Sequence, residues 1–393
     1  MTSNINFILE YNGKRESIKS VNEYKLLDKK VRTIFDISKE QRLIFYFYIE
    51  MINIYPLILI LQILKIKTKE INFKFPIEYT SDYDPIIKMC MGTPPQCLKF
   101  KILTYLNYSY VLDKTKYNHG FDSNKSESFY LEEEAEIEEY SDKYIKLKGY
   151  KCQEDFYIDE EDFKISFFTF YFVISGSHSD NYDGVIGLGL SGSSFINYLS
   201  IHYDFGIRFI IQTFHDEQKG LLTLGKLNNE FSFDKEIYFY NDEDNYQVEM
   251  NKIIFYNDEK LEQTTIYKYS QSVSFSPGHN KILCPLNFFD YLLENVFTKF
   301  IYDEYDCKKN KNDFVEIVCD KNIIDEYLGE ILFIFGKWNL RFKFNELFEK
   351  YSSSKVSFTI VHSTVDDRWI FGYPFFKKYD IIYDGILNKL IIK

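Results

Sequence analysis

From residue 70 onward the chain is cut into short runs in which apolar and polar residues alternate. A period of two places every second side chain on one face, so such runs fold as strands. Residues 71–77 alternate in this way, and 98–102 put Leu98, Phe100 and Ile102 on one face. Further strands are predicted at 143–147, 164–174, 207–213, 221–224, 237–240, 331–335, 356–361 and 381–383. Clusters of Gly, Asn, Asp and Ser separate them, and this punctuation predicts an all-β, barrel-like protein. One helix is predicted at 285–300, with Phe289, Leu292, Leu293, Val296 and Phe300 on one stripe facing the core.

A length of 393 residues is enough for two domains and a large core. The formal charge of −12 repels phosphate backbones and argues against nucleic-acid binding. Aromatic residues reach 19%, while Ala135 is the sole alanine. Lys, Asn, Ile, Phe and Tyr dominate, which is the signature of AT-rich codons, so aromatic clusters are not read as ligand sites. The acidic run 132–136 reads as a solvated loop or strand edge. Six cysteines and six histidines are scattered without C-x-x-C, H-x-H or H-E-x-x-H. No metal site and no cofactor is expected from that pattern.

Residues 1–69 form an N-terminal extension of different texture. Residues 1–42 are polar and rich in charge. The segment 43–64 has 22 largely apolar residues, long enough to cross a bilayer. It also holds Glu50, Asn53, Pro56 and Gln62, and Glu50 would be costly at the membrane centre. Two readings stand: a signal anchor of a single-pass membrane protein, or a buried strand or helix of a pro-segment.

The segments Met91–Gln96, Phe121–Phe129, Tyr182–Gly189, Gly220–Gly225, Trp369–Tyr379 and Ile382–Asp384, in that order, resemble motifs of the pepsin family of aspartic proteases, which includes plasmepsins and cathepsin D. Met91-Gly92-Thr93-Pro94-Pro95-Gln96 is similar to the family's G-T-P-x-Q turn. Phe121 to Phe129 resembles F-x-P-x-x-S-x-(S/T)-(F/Y), and Tyr182 to Gly189 resembles F-D-G-I-L-G-L-G/A. Gly220 to Gly225 is similar to G-x-L-x-(L/F)-G, and Trp369 to Tyr379 to W-I-L-G-x-x-F-(L/M)-x-x-Y. Ile382-Tyr383-Asp384 matches V-F-D. The resemblance implies a bilobal fold with two related β-barrel-like lobes, a central cleft and a few short helices. Lobe boundaries of 70–228 and 229–393 follow, and Val185-Ile186-Gly187 and Ile370-Phe371-Gly372 mark an internal duplication. The resemblance also pairs Cys307 with Cys319 as a second-lobe disulfide. Cys90 and Cys97 are read as buried thiols.

The family's chemistry needs one aspartate from each lobe, each in D-(T/S)-G. The two carboxylates share a proton because like charges about 3 Å apart cannot both ionise. No D-T-G or D-S-G occurs in the chain. Counting from the Gly92 turn sets the first motif on Leu103-Thr104-Tyr105, and counting back from Pro285 sets the second on Ser276-Pro277-Gly278. Both aspartate positions are then lost. Asp113 is too far along the chain to substitute, Glu127 and Asp142 fall on outer loops, and Ser276 with His279 lacks an orienting third group. Thr104, Tyr105 and Gly278 are cleft candidates. Tyr140 and Tyr144 are candidates for the flap that covers it, with a surface aromatic as the alternative reading for each. Asn107-Tyr108-Ser109 and Asn124-Lys125-Ser126 are glycosylation sequons.

The expected function is a pepsin-like pseudoenzyme that binds a polypeptide or partner protein in the secretory or endomembrane system. Two alternatives remain: an active aspartic endopeptidase with a non-standard site, and a membrane-tethered adaptor whose cleft is filled by its own side chains.

Overall fold

A computed structural model describes residues 6–11 and 14–19, and residues 72–393 apart from 141–143, 159–162, 177–180, 204–205, 215–217, 226–234, 240–245, 258–261, 268–269, 299–306, 312–313, 326–328 and 364–366. The chain divides into two compact units, Met1–Lys69 and Glu70–Lys393. In the first, Asn6–Tyr11 pairs antiparallel with Lys14–Lys19. The candidate anchor at 43–64 lies outside the described residues. Among the described residues no helix is long and apolar enough to cross a membrane.

The second unit is built of strands, and Asn72–Tyr79 shows why. Phe73, Phe75, Ile77 and Tyr79 are buried, while Lys74, Pro76 and Glu78 are exposed. Among the described residues of this unit the strands form sheets of thirteen, nine and four. The thirteen-stranded sheet takes in both ends of the unit, because Ile381–Asp384 pairs with Arg208–Phe214 and with Lys389–Ile392.

A four-strand arrangement occurs twice. Gln96–Leu103 runs parallel to Gly184–Gly187, which is antiparallel to Tyr110–Leu112, which is parallel to Phe163–Ser175. Likewise Gln271–Phe275 runs parallel to Trp369–Phe371, which is antiparallel to Ile282–Leu283, which is parallel to Ile360–Ser363. In each copy the connection leaving the first strand crosses over a glycine. A Cβ on Gly187 would sit 2.0 Å from the Tyr108 carbonyl oxygen. A Cβ on Gly372 would sit 2.1 Å from the Lys281 oxygen and 2.3 Å from that of His279. The two apolar-apolar-Gly segments of the sequence are therefore points of close backbone approach.

The aromatic excess goes into the core. Phe275 packs on Phe371 and Phe375 with ring centroids 5.3 and 4.9 Å apart, and Phe333 meets Phe371 at 4.8 Å. Edge-to-face pairs like these add stability beyond the buried area.

Three expectations need correction, and the strand-edge reading of the acidic run holds. The helix is Leu286–Leu292, continued by a π turn over Leu293–Phe297. That turn changes the phase, so Phe288, Phe289, Leu292 and Phe297 are buried while Leu293 and Val296 are half-buried. The run at 356–361 breaks into Lys355–Phe358 and Ile360–Ser363, because Thr359 N donates to Leu347 O (2.7 Å) and Thr359 O accepts from Ile282 N (2.9 Å). The acidic run belongs to the edge strand Tyr130–Tyr140, where Lys146 and Lys148 of the neighbouring strand reach Glu136 at 2.9 and 2.7 Å. Cys90 and Cys97, read as thiols, form a disulfide. The four-residue turn between Pro85–Met91 and Gln96–Leu103 sets them directly opposite each other. Cys307 and Cys319 form the other disulfide, and Cys152 and Cys284 are free and buried.

Candidate functional site

The turns that follow Gln96–Leu103 and Gln271–Phe275 meet at the centre of the second unit. Leu103 ends its strand opposite Gly187 and is fully buried. Its side chain is driven against the other turn: a Cβ on Gly278 would lie 2.4 Å from Leu103 Cδ2. Gly278 thus leaves the room that the Leu103 side chain takes up between the turns. Ser276 is also fully buried, its N–H donates to Phe371 O (3.0 Å), and its hydroxyl has no hydrogen-bond partner among the described residues.

A polar tie crosses between the duplicated motifs. Thr104 Oγ1 donates to the Phe275 carbonyl at 2.7 Å. The Tyr383 hydroxyl donates to the same oxygen at 2.9 Å. Burial pushes the Tyr383 hydroxyl well above its ordinary pKa, so it remains a donor. Pro277 has neither a hydroxyl nor an N–H, so no tie of this kind can run back from its position.

Tyr105 is half-buried, with its ring 5.5 Å from that of the buried His279. Tyr108 lies edge-on to Tyr171 at 5.3 Å. Tyr105, Tyr108, Tyr117 and Tyr171 all pack on the cluster that contains Leu103, Leu106 and Tyr110. The loop holding His279 is pinned by Tyr373 N, which donates to His279 O at 2.6 Å, and Tyr373 stacks on Tyr83 at 4.4 Å.

Charge near the turns comes from an ion pair that the alternation in 98–102 conceals. By period two Lys101 should face outward. Its strand is covered on both sides, and Lys101 is 5% exposed. Its ammonium pairs with Asp84 at 2.8 Å, and a Cβ on Gly278 would meet its Cε at 3.2 Å. A buried charge needs such a partner.

The other acids considered from sequence lie elsewhere. Asp113 caps the helix Lys114–Tyr117, accepting from Thr115 N at 2.8 Å. Glu127 is exposed and Asp142 lies outside the described residues. Tyr140 and Tyr144 are paired across the end of the hairpin formed by Tyr130–Tyr140 and Tyr144–Ile158, and their side chains lie outside the described part. Among the described residues no cluster of His, Cys, Asp and Glu could hold a metal ion.

No family model matches the sequence, and no curated protein matches it. Among solved structures the chain is similar to an aspartic proteinase from Irpex lacteus, with a TM-score of 0.66 and 12% identity, over 82% of this chain and 97% of that one. The fold is pepsin-like. The duplicated four-strand arrangement and the two turns that meet between the copies are the architecture of that bilobal pepsin-like fold.

Proposed function

We propose that the chain is a pepsin-family homologue that has lost hydrolysis and binds an extended polypeptide or a partner protein. In this reading Leu103 and Ser276 stand at the two aspartate positions. An alkyl group and a neutral hydroxyl cannot share a proton, activate water or polarise a peptide carbonyl. The observation that carries the reading is the contact of Leu103 with Gly278, which puts a hydrocarbon side chain between the two turns. The Thr104 tie supports it, since the joint between the turns persists where the carboxylates do not.

Tyr105 and Tyr108 favour a second form of the same reading, in which the chain's own rings fill the cleft floor and the molecule acts as an adaptor. The two disulfides fit an oxidising, secretory compartment.

Incubating the full-length chain with a library of extended peptides, recovering what it retains, and weighing the peptides by mass spectrometry tests the proposal. Retention of intact peptides supports the binding reading. Retention of none favours the filled cleft. Truncated peptides with new termini overturn the loss of hydrolysis.

A further inference from the structure

Two sequons remain outside the functional reading, and they sit in opposite environments. Asn107 is half-buried in the connection between Leu103 and Tyr110. Its Oδ1 accepts from Ser191 N at 3.3 Å. A Cβ on Gly189 would lie 2.0 Å from that same Oδ1, and one on Gly192 would lie 2.8 Å from the Asn107 carbonyl oxygen. The amide is therefore wedged against the backbone that follows Gly184–Gly187. Ser109, the third residue of the sequon, is fully buried and its hydroxyl accepts from Gly187 N at 3.1 Å. A sugar on Asn107 would have to project from this half-buried amide past that backbone, so the fold disfavours it.

Asn124 is different. It is exposed, in the middle of the single turn Ser123–Lys125. That turn is held from below: Asp122 and Gln96 exchange two hydrogen bonds at 3.0 and 3.1 Å, and Ser126 Oγ accepts from Thr93 N at 2.9 Å. The side chain of Asn124 is not among these ties. An acceptor sequon needs a surface turn in a secreted chain.

We infer that Asn124 is an N-glycan acceptor of this protein and that Asn107 is not. The donor is an oligosaccharide linked through its reducing-end carbon to a lipid pyrophosphate. The Asn124 amide nitrogen bonds to that carbon as the carbon–phosphate oxygen bond breaks. The lipid pyrophosphate leaves with the electron pair, and a base takes the proton lost by the amide. The inference rests on the secretory reading above, so the experiment separates the two.

The full-length chain is expressed in a glycosylating eukaryotic host in two forms, one with its own N-terminus and one behind an added secretory leader. Secreted protein from the second form is treated with peptide-N-glycosidase in heavy-oxygen water, which leaves a labelled aspartate wherever an asparagine carried a glycan. The expected result is label at position 124 and none at 107, with Asn124→Gln abolishing the glycan mass step on the intact protein. An unlabelled position 124, or a labelled position 107, overturns the inference. The first form tests the compartment alone: a glycan-free chain there, with label at 124 in the leader form, refutes the secretory reading and leaves the acceptor assignment standing.

Discussion

The joint between the duplicated motifs can be taken apart by a double-mutant cycle. The Phe275 carbonyl accepts from Thr104 Oγ1 and from the Tyr383 hydroxyl, and all three groups are buried. Thr104→Val removes one donor at nearly constant volume and leaves the carbonyl satisfied by Tyr383. Tyr383→Phe removes the other and keeps the ring stacked on Phe209 at 4.4 Å. Each single change should therefore cost about 1 kcal/mol, the net worth of one neutral hydrogen bond. The double variant orphans a buried carbonyl, which adds a desolvation penalty of roughly 1–3 kcal/mol beyond the sum. Denaturant unfolding of the four proteins reads both terms. Simple additivity would refute the shared-acceptor geometry, and with it the claim that one carbonyl links the two turns.

Other consequences follow from single positions. Gly187→Ala and Gly372→Ala each set a methyl group within 2.1 Å of a backbone oxygen, so both should lose more than about 4 kcal/mol or fail to fold, whereas Gly336→Ala has open space around its Cβ and should be much milder in thermal unfolding, limited by its positive φ. Hydrogen bonds from Lys148 and Lys146 pull the Glu136 carboxyl down to about 2. Its contribution is fully present above the ordinary carboxylate pKa and is lost progressively as pH falls towards about 2, and because the pair is exposed and screened, Glu136→Gln or high salt should speed amide exchange along the hairpin at pH 4 only slightly. Burial outweighs the pull of Glu316 and lowers Lys281 to about 8 from its ordinary 10.5, while Glu349, paired directly with the ammonium, works against that fall. Between those values the unfolded chain holds the proton that the folded chain has released, so stability should rise with pH there in the wild type, and urea midpoints of Lys281→Met should lack that rise.

Strands were most legible where only one face is buried, as in Asn72–Tyr79, where the period of two survives intact. Alternation misleads where a strand is covered on both faces, which is how Lys101 came to be buried with Asp84. The meeting of the two turns was readable only through resemblance, since Leu103 and Gly278 are 175 residues apart in the chain and nothing local marks their contact. Thr104 was legible as a cleft residue through the resemblance, but the part of Tyr383 at the same carbonyl was not, because its partner lies in another motif. Cys90 and Cys97 were misread for want of the strand register, which alone shows them to be opposite. The break at Thr359 is likewise set by its tertiary hydrogen bonds to Leu347 and Ile282 and leaves no trace in the local pattern.

The loss of hydrolysis is tested most directly by peptide cleavage. The purified full-length chain is incubated with a diverse peptide library from about pH 3 to about pH 7, which takes in the acidic range where two carboxylates share one proton, with and without the transition-state mimic pepstatin. The account predicts no cleavage above blank at any pH and no pepstatin binding. Pepstatin-sensitive cleavage would contradict it, and would show that a carboxylate pair forms somewhere other than at Leu103 and Ser276.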